Sequence, residues 1–244
     1  MNALILAAGT GSRLVDLTRN QPKALVRVGG VPLIDHTLNF LEELRCESVT
    51  VVGGFFYDMV VNHLAGHKRR VSIHFVENKE FLKGSVLTLQ AGLRTVSAPF
   101  ILCNVDHIYP RSLARALRLE IRVAKGVLAL ADYDRPLSGD DMKIRGVAAG
   151  KIERISKTID EFDGGYIGMS VVPESASEQY RSAAATVATS NPEASAEAVL
   201  QQLVADGSPP LVVDTSGHRW LEIDDQRDLL NADRILRNKP GFLD

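Results

Sequence analysis

A buried strand runs into a glycine loop in the stretch Leu6-Ala7-Ala8-Gly9-Thr10-Gly11-Ser12-Arg13-Leu14, and this stretch decides the fold. The residues from Ala3 to Ala8 form a short, continuously apolar run, as expected for a central strand covered on both faces. Gly9 and Gly11 let backbone N–H groups approach an anion closely, and Arg13 adds a positive charge. The stretch therefore predicts a strand that delivers a phosphate-binding loop to one edge of a sheet.

Strand and helix patterns alternate through the first half of the chain. After the helical spacing that begins at Pro32, the predicted elements are the strands Val49–Val52, Val71–Val76 and Phe100–Val105 and the helices Tyr57–Ala65 and Ser85–Val96. This order is typical of an α/β fold with a mostly parallel sheet and helices on both faces. Ligands in such sheets bind outside the carboxyl ends of the strands. We therefore expect the loop after Ala8 and Asp106 after Val105 to converge on one crevice.

The pattern changes beyond Pro110. The predicted elements there are a helix over Ser112–Ala124, a strand over Gly126–Ala131, a hairpin of Lys143–Val147 with Ile152–Ser156, a strand over Ile167–Val172, a helix and a surface loop within Pro173–Pro192, and a helix that Asn191-Pro192-Glu193 opens and that continues to Val204. No internal repeat and no linker-like tract interrupts the chain. We therefore predict a single domain over residues 1–244.

The composition excludes several classes of protein. With 45% hydrophobic residues, 24% charged residues and a net charge of -2, the chain is neither disordered nor fibrous, and nothing favours a nucleic-acid partner. Cys46 and Cys103 lie in apolar stretches without a partner at the spacing of metal or redox motifs, so we interpret both as buried hydrophobes. The chain starts without a positive leader, and no stretch approaches the roughly 20 apolar residues of a membrane span. We expect no membrane partner and a cytoplasmic location.

Two common phosphate-binding motifs do not fit the glycine loop. The Walker loop requires Gly-Lys-Ser/Thr, and the dinucleotide fingerprint requires a small residue where Arg13 stands. The second strand is followed by Gly53-Gly54-Phe55 instead of the acidic residue of a nicotinamide site. Lys23, in a Pro-Lys pair, adds a second cation that can match phosphate oxygens. The loop is therefore interpreted as a triphosphate cradle.

The order Leu-Ala-Ala-Gly-x-Gly-x-Arg, Pro-Lys and Gly-x-Pro-Leu-Ile, which ends at Ile34, resembles the nucleotidyltransferase family that makes nucleotide sugars and cytidine-diphosphate alcohols. Within that family the chain looks most like the cytidylyltransferases acting on inositol-1-phosphate or phosphocholine. The resemblance implies a Rossmann-like, GT-A-like sheet. It also implies a nucleotide-binding half over residues 1–110 and an acceptor-binding half over residues 111–244.

The resemblance also distributes roles among the side chains. It implies catalytic roles for Arg13 and Lys23. Nucleotide-binding positions are expected at Leu6, Ala7, Ala8, Gly9, Thr10, Gly11, Ser12, Arg13, Lys23, Gly84, Ser85 and Asn104. Ser85 is also expected to cap the helix that starts there. Acceptor-binding positions are expected at His107, Lys143 and Lys157.

A magnesium site is expected at two carboxylates. Asp106 follows a buried strand directly, where a carboxylate is costly unless a cation that bridges it to phosphate oxygens gives it a role. The alternative is that Asp106 caps the following turn. The run from Trp220 to Asp224 resembles the family's Trp-x-Asp-Ile-Asp-Thr stretch, whose aspartate completes the metal site. This role is assigned to Asp224, with Glu222 as the alternative, while Asp225 and Asp228 are expected to start the final helix.

The predicted reaction is the magnesium-dependent transfer of a nucleoside monophosphate, with CTP the favoured donor, to a small phosphorylated alcohol of the inositol phosphate, phosphocholine or phosphonate type. One alternative is a sugar-1-phosphate nucleotidyltransferase that uses dTTP, UTP or GTP. Another is a metal-dependent glycosyltransferase, because Asn104-Val105-Asp106 resembles half of an Asp-x-Asp site. A non-catalytic nucleotide sensor is a further alternative. The sequence leaves a homodimer possible.

Overall fold

The computed structural model describes residues 1–146 and 150–244, and within them nine strands form one sheet. The strands are β1 (Asn2–Ala7), β2 (Arg27–Val28), β3 (Val31–Pro32), β4 (Ser48–Gly53), β5 (Ser72–Glu77), β6 (Phe100–Asn104), β7 (His107–Ile108), β8 (Leu128–Asp132), β9 (Lys143–Arg145), β10 (Arg154–Ser156), β11 (Gly164–Val172), β12 (Leu211–Asp214) and β13 (Leu221–Glu222). The helices are α1 (Val15–Thr18), α2 (Leu33–Glu43), α3 (Tyr57–Ala65), α4 (Ser85–Leu93), α5 (Arg111–Val123), α6 (Ser177–Ser190), α7 (Ala198–Ala205) and α8 (Gln226–Asn238).

The first half of the sheet is parallel, in the order β6-β1-β4-β5. The second half joins through β11, which runs antiparallel to β6 and carries β8, β9, β10 and β12 beyond it. Because Leu6 of β1 is paired with Asn104 of β6, the glycine loop and Asp106 leave the sheet side by side. The predicted α/β fold with a mostly parallel sheet is confirmed, and so is the common edge.

Both faces of the sheet are buried. Along β1, Ala3 and Ile5 pack into the cluster that includes residues of α2 and α5, while Leu4 and Leu6 pack into the cluster that includes residues of α4 and α6. Successive side chains of a strand point to opposite faces, so a strand between two helical layers must be apolar at every position. This accounts for the continuous apolar run that precedes the loop.

A short ribbon brings the end of the chain back to this edge. In it, β13 pairs antiparallel with β7, so that Glu222 lies opposite His107, and the N–H of Ile223 donates to the carbonyl of Asp106 at 3.0 Å. The next turn is fixed by a capping box, in which Asp225 accepts from the N–H of Asp228 at 2.9 Å and Asp228 accepts in return. The ribbon and the cap together fix the backbone on both sides of residue 224.

Several predicted boundaries differ from the structure. The helix expected from Asn191 to Val204 begins only at Ala198, because the preceding carbonyls of Pro192 and Ala194 accept from the N–H groups of Gly84 and Val86. The expected surface loop before Pro192 is largely helix α6. The predicted hairpin exists as β9 and β10, although Val147 lies outside the described residues. None of the helices in the described ranges is long and apolar enough to cross a membrane.

Candidate active site

Lys23 is the centre of the crevice at the carboxyl edge of the sheet. Its Nζ donates to Oδ2 of Asp106 at 2.8 Å and to Oδ1 of Asp224 at 2.9 Å. Only 11% of the Lys23 side chain is exposed. The structure thus brings together both predicted metal-ligating carboxylates and one of the two predicted catalytic cations.

The glycine loop allows this approach. Gly11 has a φ of +67°, and a Cβ atom there would lie 2.8 Å from Cγ2 of Thr18 and 3.1 Å from Cβ of Lys23. The hydroxyl of Thr18 donates to the carbonyl of Gly11 at 3.0 Å and fixes the turn. A side chain at position 11 would therefore displace Lys23 from the two carboxylates.

Arg13 lies on the open side of the same cluster. Its guanidinium is 3.2 Å from Oδ2 of Asp224 and donates to Oδ2 of Asp140 at 2.9 Å. About half of the Arg13 side chain is exposed (49%). A partly solvated guanidinium of this kind can turn toward an incoming phosphate, whereas Lys23 is held in place by Asp106 and Asp224.

Opposite charges keep the buried groups ionised. Burial alone would lower the pKa of Lys23, but the adjacent carboxylates of Asp106 and Asp224 outweigh burial and raise this pKa above its ordinary value. Burial would raise the pKa of Asp106, yet Lys23 and His107 hold it well below its usual range. Lys23 and Asp106 are therefore both charged at neutral pH.

The donor set fits a hard divalent cation. Asp106 and Asp224 both direct a carboxylate oxygen at the Lys23 ammonium, and these two residues would hold a divalent cation. Within residues 1–146 and 150–244, no group of three or more histidine, cysteine, aspartate or glutamate side chains could hold a metal ion. Two carboxylates completed by water and phosphate oxygens are the coordination that Mg²⁺ commonly accepts.

Glu222, the alternative ligand, faces a different group. Its Oε1 lies 3.6 Å from Nε2 of His107, and its Oε2 lies 3.8 Å from the guanidinium of Arg135. Burial raises the pKa of Glu222, and the charges of Asp106 and Asp224 act in the same direction. The geometry pairs Asp224, and not Glu222, with Asp106.

His107 is a buried residue that holds the Asp106 carboxylate by a hydrogen bond. Nδ1 donates to Oδ1 of Asp106 at 2.7 Å. The ring is stacked on Trp220, with centroids 5.4 Å apart, and the guanidinium of Arg135 lies 4.2 Å from the centroid of the Trp220 ring. Burial would lower the pKa of His107, but Glu222 and Asp106 raise it. His107 also lines a cavity beside the cluster, so the predicted acceptor contact and a role in holding Asp106 are compatible.

Three adjoining spaces surround the cluster. The first, of about 370 Å³, is bounded by Gly9, Thr10, Gly11, Ser12, Arg13, Lys23, Phe81, Leu82, Lys83, Asp106 and Asp224. The second, of about 170 Å³, is bounded by Leu6, Ala8, Gly9, Lys23, Ser85, Thr88, Asn104, Val105 and Asp106. The third, of about 200 Å³, is bounded by Arg13, Ser85, Asn104, Asp106, His107, Asp140, Asp141, Met142, Lys157, Tyr166, Gly168, Ser195, Glu197, Glu222 and Asp224. Most predicted nucleotide-binding residues line these spaces, while Ala7 is buried in β1 and Gly84 is the N-cap of α4.

The two predicted acceptor lysines are placed differently. Lys157 is exposed and lines the third space. Lys143 is buried, and its Nζ donates to the carbonyl of Lys157 at 2.7 Å. This placement differs from the predicted one, because Lys143 points its charge at the loop that carries Lys157 and not into the cavity.

Sequence reasoning missed the segment around Ser195 and Glu197. Oε1 of Glu197 accepts from Nδ2 of Asn104 at 3.0 Å, and the hydroxyl of Ser85 accepts from the N–H of Ala196 at 2.8 Å. The N-cap of α4 is Gly84, without a side-chain capping bond, so the alternative interpretation of Ser85 as a helix cap is wrong. The polar residues of this segment do not follow the spacing of any motif. Pro192 favours the start of a helix, so the sequence predicted a helix where the structure has a turn.

Comparison with known proteins points to one family of nucleotidyltransferases. A model of the MobA-like NTP transferase domain matches residues 3–205. The chain is 28% identical over 243 residues to the bifunctional IPC transferase and DIPP synthase of Rubrobacter xylanophilus, covering 97% of this chain and 52% of that protein. It is 39% identical over 79 residues to the CTP:phosphoglutamine cytidylyltransferase of Campylobacter jejuni, covering 32% of this chain and 30% of that protein.

A solved structure shows the same fold. The inositol-1-phosphate CTP transferase from T. maritima has a TM-score of 0.80 to this chain at 23% identity and covers 96% of both chains. The chain spans about half the length of the Rubrobacter protein that it matches. The predicted resemblance to nucleotidyltransferases is confirmed.

Proposed function

We propose that this chain, which belongs to the MobA-like NTP transferase domain family, transfers CMP from CTP to a small phosphorylated alcohol or phosphonate and releases pyrophosphate. The observation that carries the proposal is the Lys23 ammonium, held between Asp106 and Asp224 beneath the glycine loop. The names of the Campylobacter and T. maritima relatives support the choice of CTP and of a phosphorylated acceptor.

The acceptor needs no general base from the protein. A phosphate monoester has a second pKa of about 6, so at neutral pH it already presents a nucleophilic oxygen. The enzyme has to orient that oxygen toward the α-phosphate and to neutralise charge. Arg13 and Lys157, which lie at the cavity on the acceptor side, can orient the acceptor phosphate.

Charge neutralisation falls to the cluster around Lys23. The backbone of Gly9, Thr10 and Gly11 offers N–H groups to the triphosphate, and Lys23 stabilises the negative charge that develops as pyrophosphate leaves. Asp106 and Asp224 would hold Mg²⁺. When bound, this ion neutralises phosphate oxygens and favours departure of the leaving group.

The test is a matrix of four nucleoside triphosphates against phosphorylated alcohols, sugar 1-phosphates and phosphonates, with and without Mg²⁺, read by pyrophosphate release. We expect release only when CTP, an alcohol phosphate or phosphonate and Mg²⁺ are present together. Faster turnover of dTTP, UTP or GTP with sugar 1-phosphates would replace the proposal with the sugar-nucleotide alternative. Nucleotide binding without release with any acceptor would identify a sensor.

A further inference from the structure

The third space beside the cluster is lined by both basic and acidic side chains. Arg13 lies next to Asp224, where the proposed reaction takes place. The other lining residues include Lys157 and acidic side chains of other elements, among them Glu197 at the start of α7. Its volume of about 200 Å³ lies below the ~300–1,000 Å³ usual for pockets of drug-sized ligands, so the space suits a small acceptor group.

Most carboxylates of this cavity already face a cation. Asp106 and Asp224 are paired with Lys23, and Asp140 is paired with Arg13. Glu222 lies between His107 and Arg135 at longer distances. Asp141 also lines the cavity and forms no ion pair with the described residues, but it closes its own turn by accepting the N–H of Ser138. These groups are accounted for by the protein itself.

Glu197 differs from the paired carboxylates, and it does not close a local turn as Asp141 does. Its Oε1 accepts an N–H from the neutral amide of Asn104, and no lysine, arginine or histidine of the part of the chain that the structure describes forms an ion pair with it. The side chain is partly buried and lines the cavity. A partly desolvated carboxylate without a cation is costly in the free protein, and a cationic ligand would relieve that cost.

The wall near Glu197 is suited to the rest of such a ligand. Tyr166 and Met142 line the same cavity, and the hydroxyl of Tyr166 is held at 2.8 Å by Ser170, so the phenol is already satisfied. Aromatic rings attract organic ammonium groups, and a thioether offers apolar, polarisable contact to their methylene or methyl groups.

We infer that the phosphorylated acceptor carries an alkylammonium group, which Glu197 binds while the acceptor phosphate lies toward Arg13. This inference rests on the proposed function and names the class of acceptor within it: a zwitterion with a phosphate or phosphonate at one end and an amine, methylated or not, at the other. A neutral polyol could also donate hydrogen bonds to a carboxylate. The charge of Glu197, and not its capacity to accept a hydrogen bond, separates the two classes.

The experiment therefore compares acceptors and a charge-neutral variant. Wild type and Glu197→Gln are assayed with CTP and Mg²⁺ against phosphoethanolamine, phosphocholine and 2-aminoethylphosphonate, and against inositol-1-phosphate and glycerol phosphate as neutral counterparts. We expect wild type to prefer an ammonium acceptor, and Glu197→Gln to lower the ratio of kcat/KM for ammonium over neutral acceptors by about 10-fold or more, because a hydrogen-bonded ion pair is worth about a factor of ten. Glu193→Gln, at an exposed position of the same segment, is the control and should leave the ratio unchanged.

The outcomes separate the inference from the proposed function. Faster turnover of neutral acceptors by wild type, or an equal loss for both classes in Glu197→Gln, would overturn the ammonium assignment and leave the nucleotidyltransferase proposal standing. A lack of pyrophosphate release with every acceptor and every triphosphate would overturn both. A melting temperature of Glu197→Gln close to that of wild type establishes that the ratio reports on the cavity.

Discussion

Asp106 and Asp224 accept hydrogen bonds from the same ammonium group, although one follows β6 and the other follows β13 near the end of the chain. The pairing of β13 with β7 brings them together, because it places the backbone that follows Asp106 beside the backbone that precedes Asp224. The two residues therefore belong to one cluster that the tertiary structure assembles.

The first prediction concerns this pair. Asp106→Asn and Asp224→Asn should each lower kcat/KM by about 10²-fold or more, because each removes a charged ligand from the proposed cation. Melting temperatures should stay near that of wild type, since Lys23 keeps one carboxylate in either variant and functional carboxylates contribute little to folding. Steady-state pyrophosphate release and thermal unfolding measure the two effects.

Glu222→Gln is the matched comparison for Asp224→Asn. It removes the charge of a residue that faces His107 and Arg135 instead of Lys23. Its effect on kcat/KM should be clearly smaller than that of Asp224→Asn. The reverse order would move the ligand role to Glu222.

Lys23→Ala is expected to act on turnover more than on binding. If Lys23 neutralises charge that develops in the transition state, kcat should fall by about 10²-fold or more with a smaller change in triphosphate affinity. Single-turnover kinetics with a separate titration of nucleotide binding distinguish the two quantities. Lys239→Ala, at an exposed position after α8, is the control, and a Lys23 variant that only raises KM would contradict the assigned role.

Substitution of the two lysines predicted to bind the acceptor should affect different quantities. Lys157→Ala should raise the acceptor KM with little change in stability, because Lys157 is exposed and lines the cavity. Lys143→Ala should lower the free energy of unfolding by about 1–3 kcal/mol, because it removes a buried side chain whose ammonium donates to the carbonyl of Lys157. Urea unfolding and acceptor titrations test both. A stable Lys143 variant with a raised acceptor KM would restore Lys143 to the acceptor site.

Gly168→Ala is predicted to disturb His107. Gly168 has a φ of +73°, and a Cβ atom there would lie 2.7 Å from Cε1 of the His107 ring. We expect a loss of about 2 kcal/mol in the free energy of unfolding together with reduced kcat, since the ring that holds Asp106 must move. Gly139→Ala meets no atom within 4 Å and serves as the control. Wild-type stability and activity in Gly168→Ala would show that the ring tolerates displacement.

Cys46 gives a prediction about how the stability of the protein depends on pH. Burial raises the pKa of Cys46 from its ordinary value of 9.0 to about 12, so the folded protein keeps a proton there that the unfolded chain releases. This contribution to stability is full below pH 9 and is lost progressively as the pH rises toward 12. Cys46→Ala should therefore show a shallower loss of stability across this window in urea unfolding. An unchanged slope would contradict the buried thiol.

The parallel half of the sheet and the phosphate loop could be predicted because their causes are local. A strand buried on both faces must be apolar throughout, and a loop that wraps an anion needs glycine and cations, so residues 3–13 carry both signals. The convergence of Asp106 with the loop follows from parallel strand order alone. These features depend on few assumptions about distant contacts.

The acceptor side could not be predicted to the same extent. Lys143 and Lys157 look equivalent in sequence, and only the packing of β9 against the loop after β10 buries one of them. Glu197 enters the site because Pro192 and Ala194 bond to the start of α4 and hold the segment out of a helix. Such roles arise from long-range backbone pairing, which a propensity for helix at Asn191-Pro192-Glu193 does not reveal.

Trp220 is the single tryptophan of the chain, and it is stacked on the ring that holds Asp106 while the guanidinium of Arg135 covers it. An indole in this position senses the local electric field through its emission wavelength and the local contacts through its quantum yield. The protein thus carries a single indole fluorophore, which the His107 ring separates from Asp106. We expect its fluorescence to give a label-free optical signal when nucleotide, cation or acceptor binds.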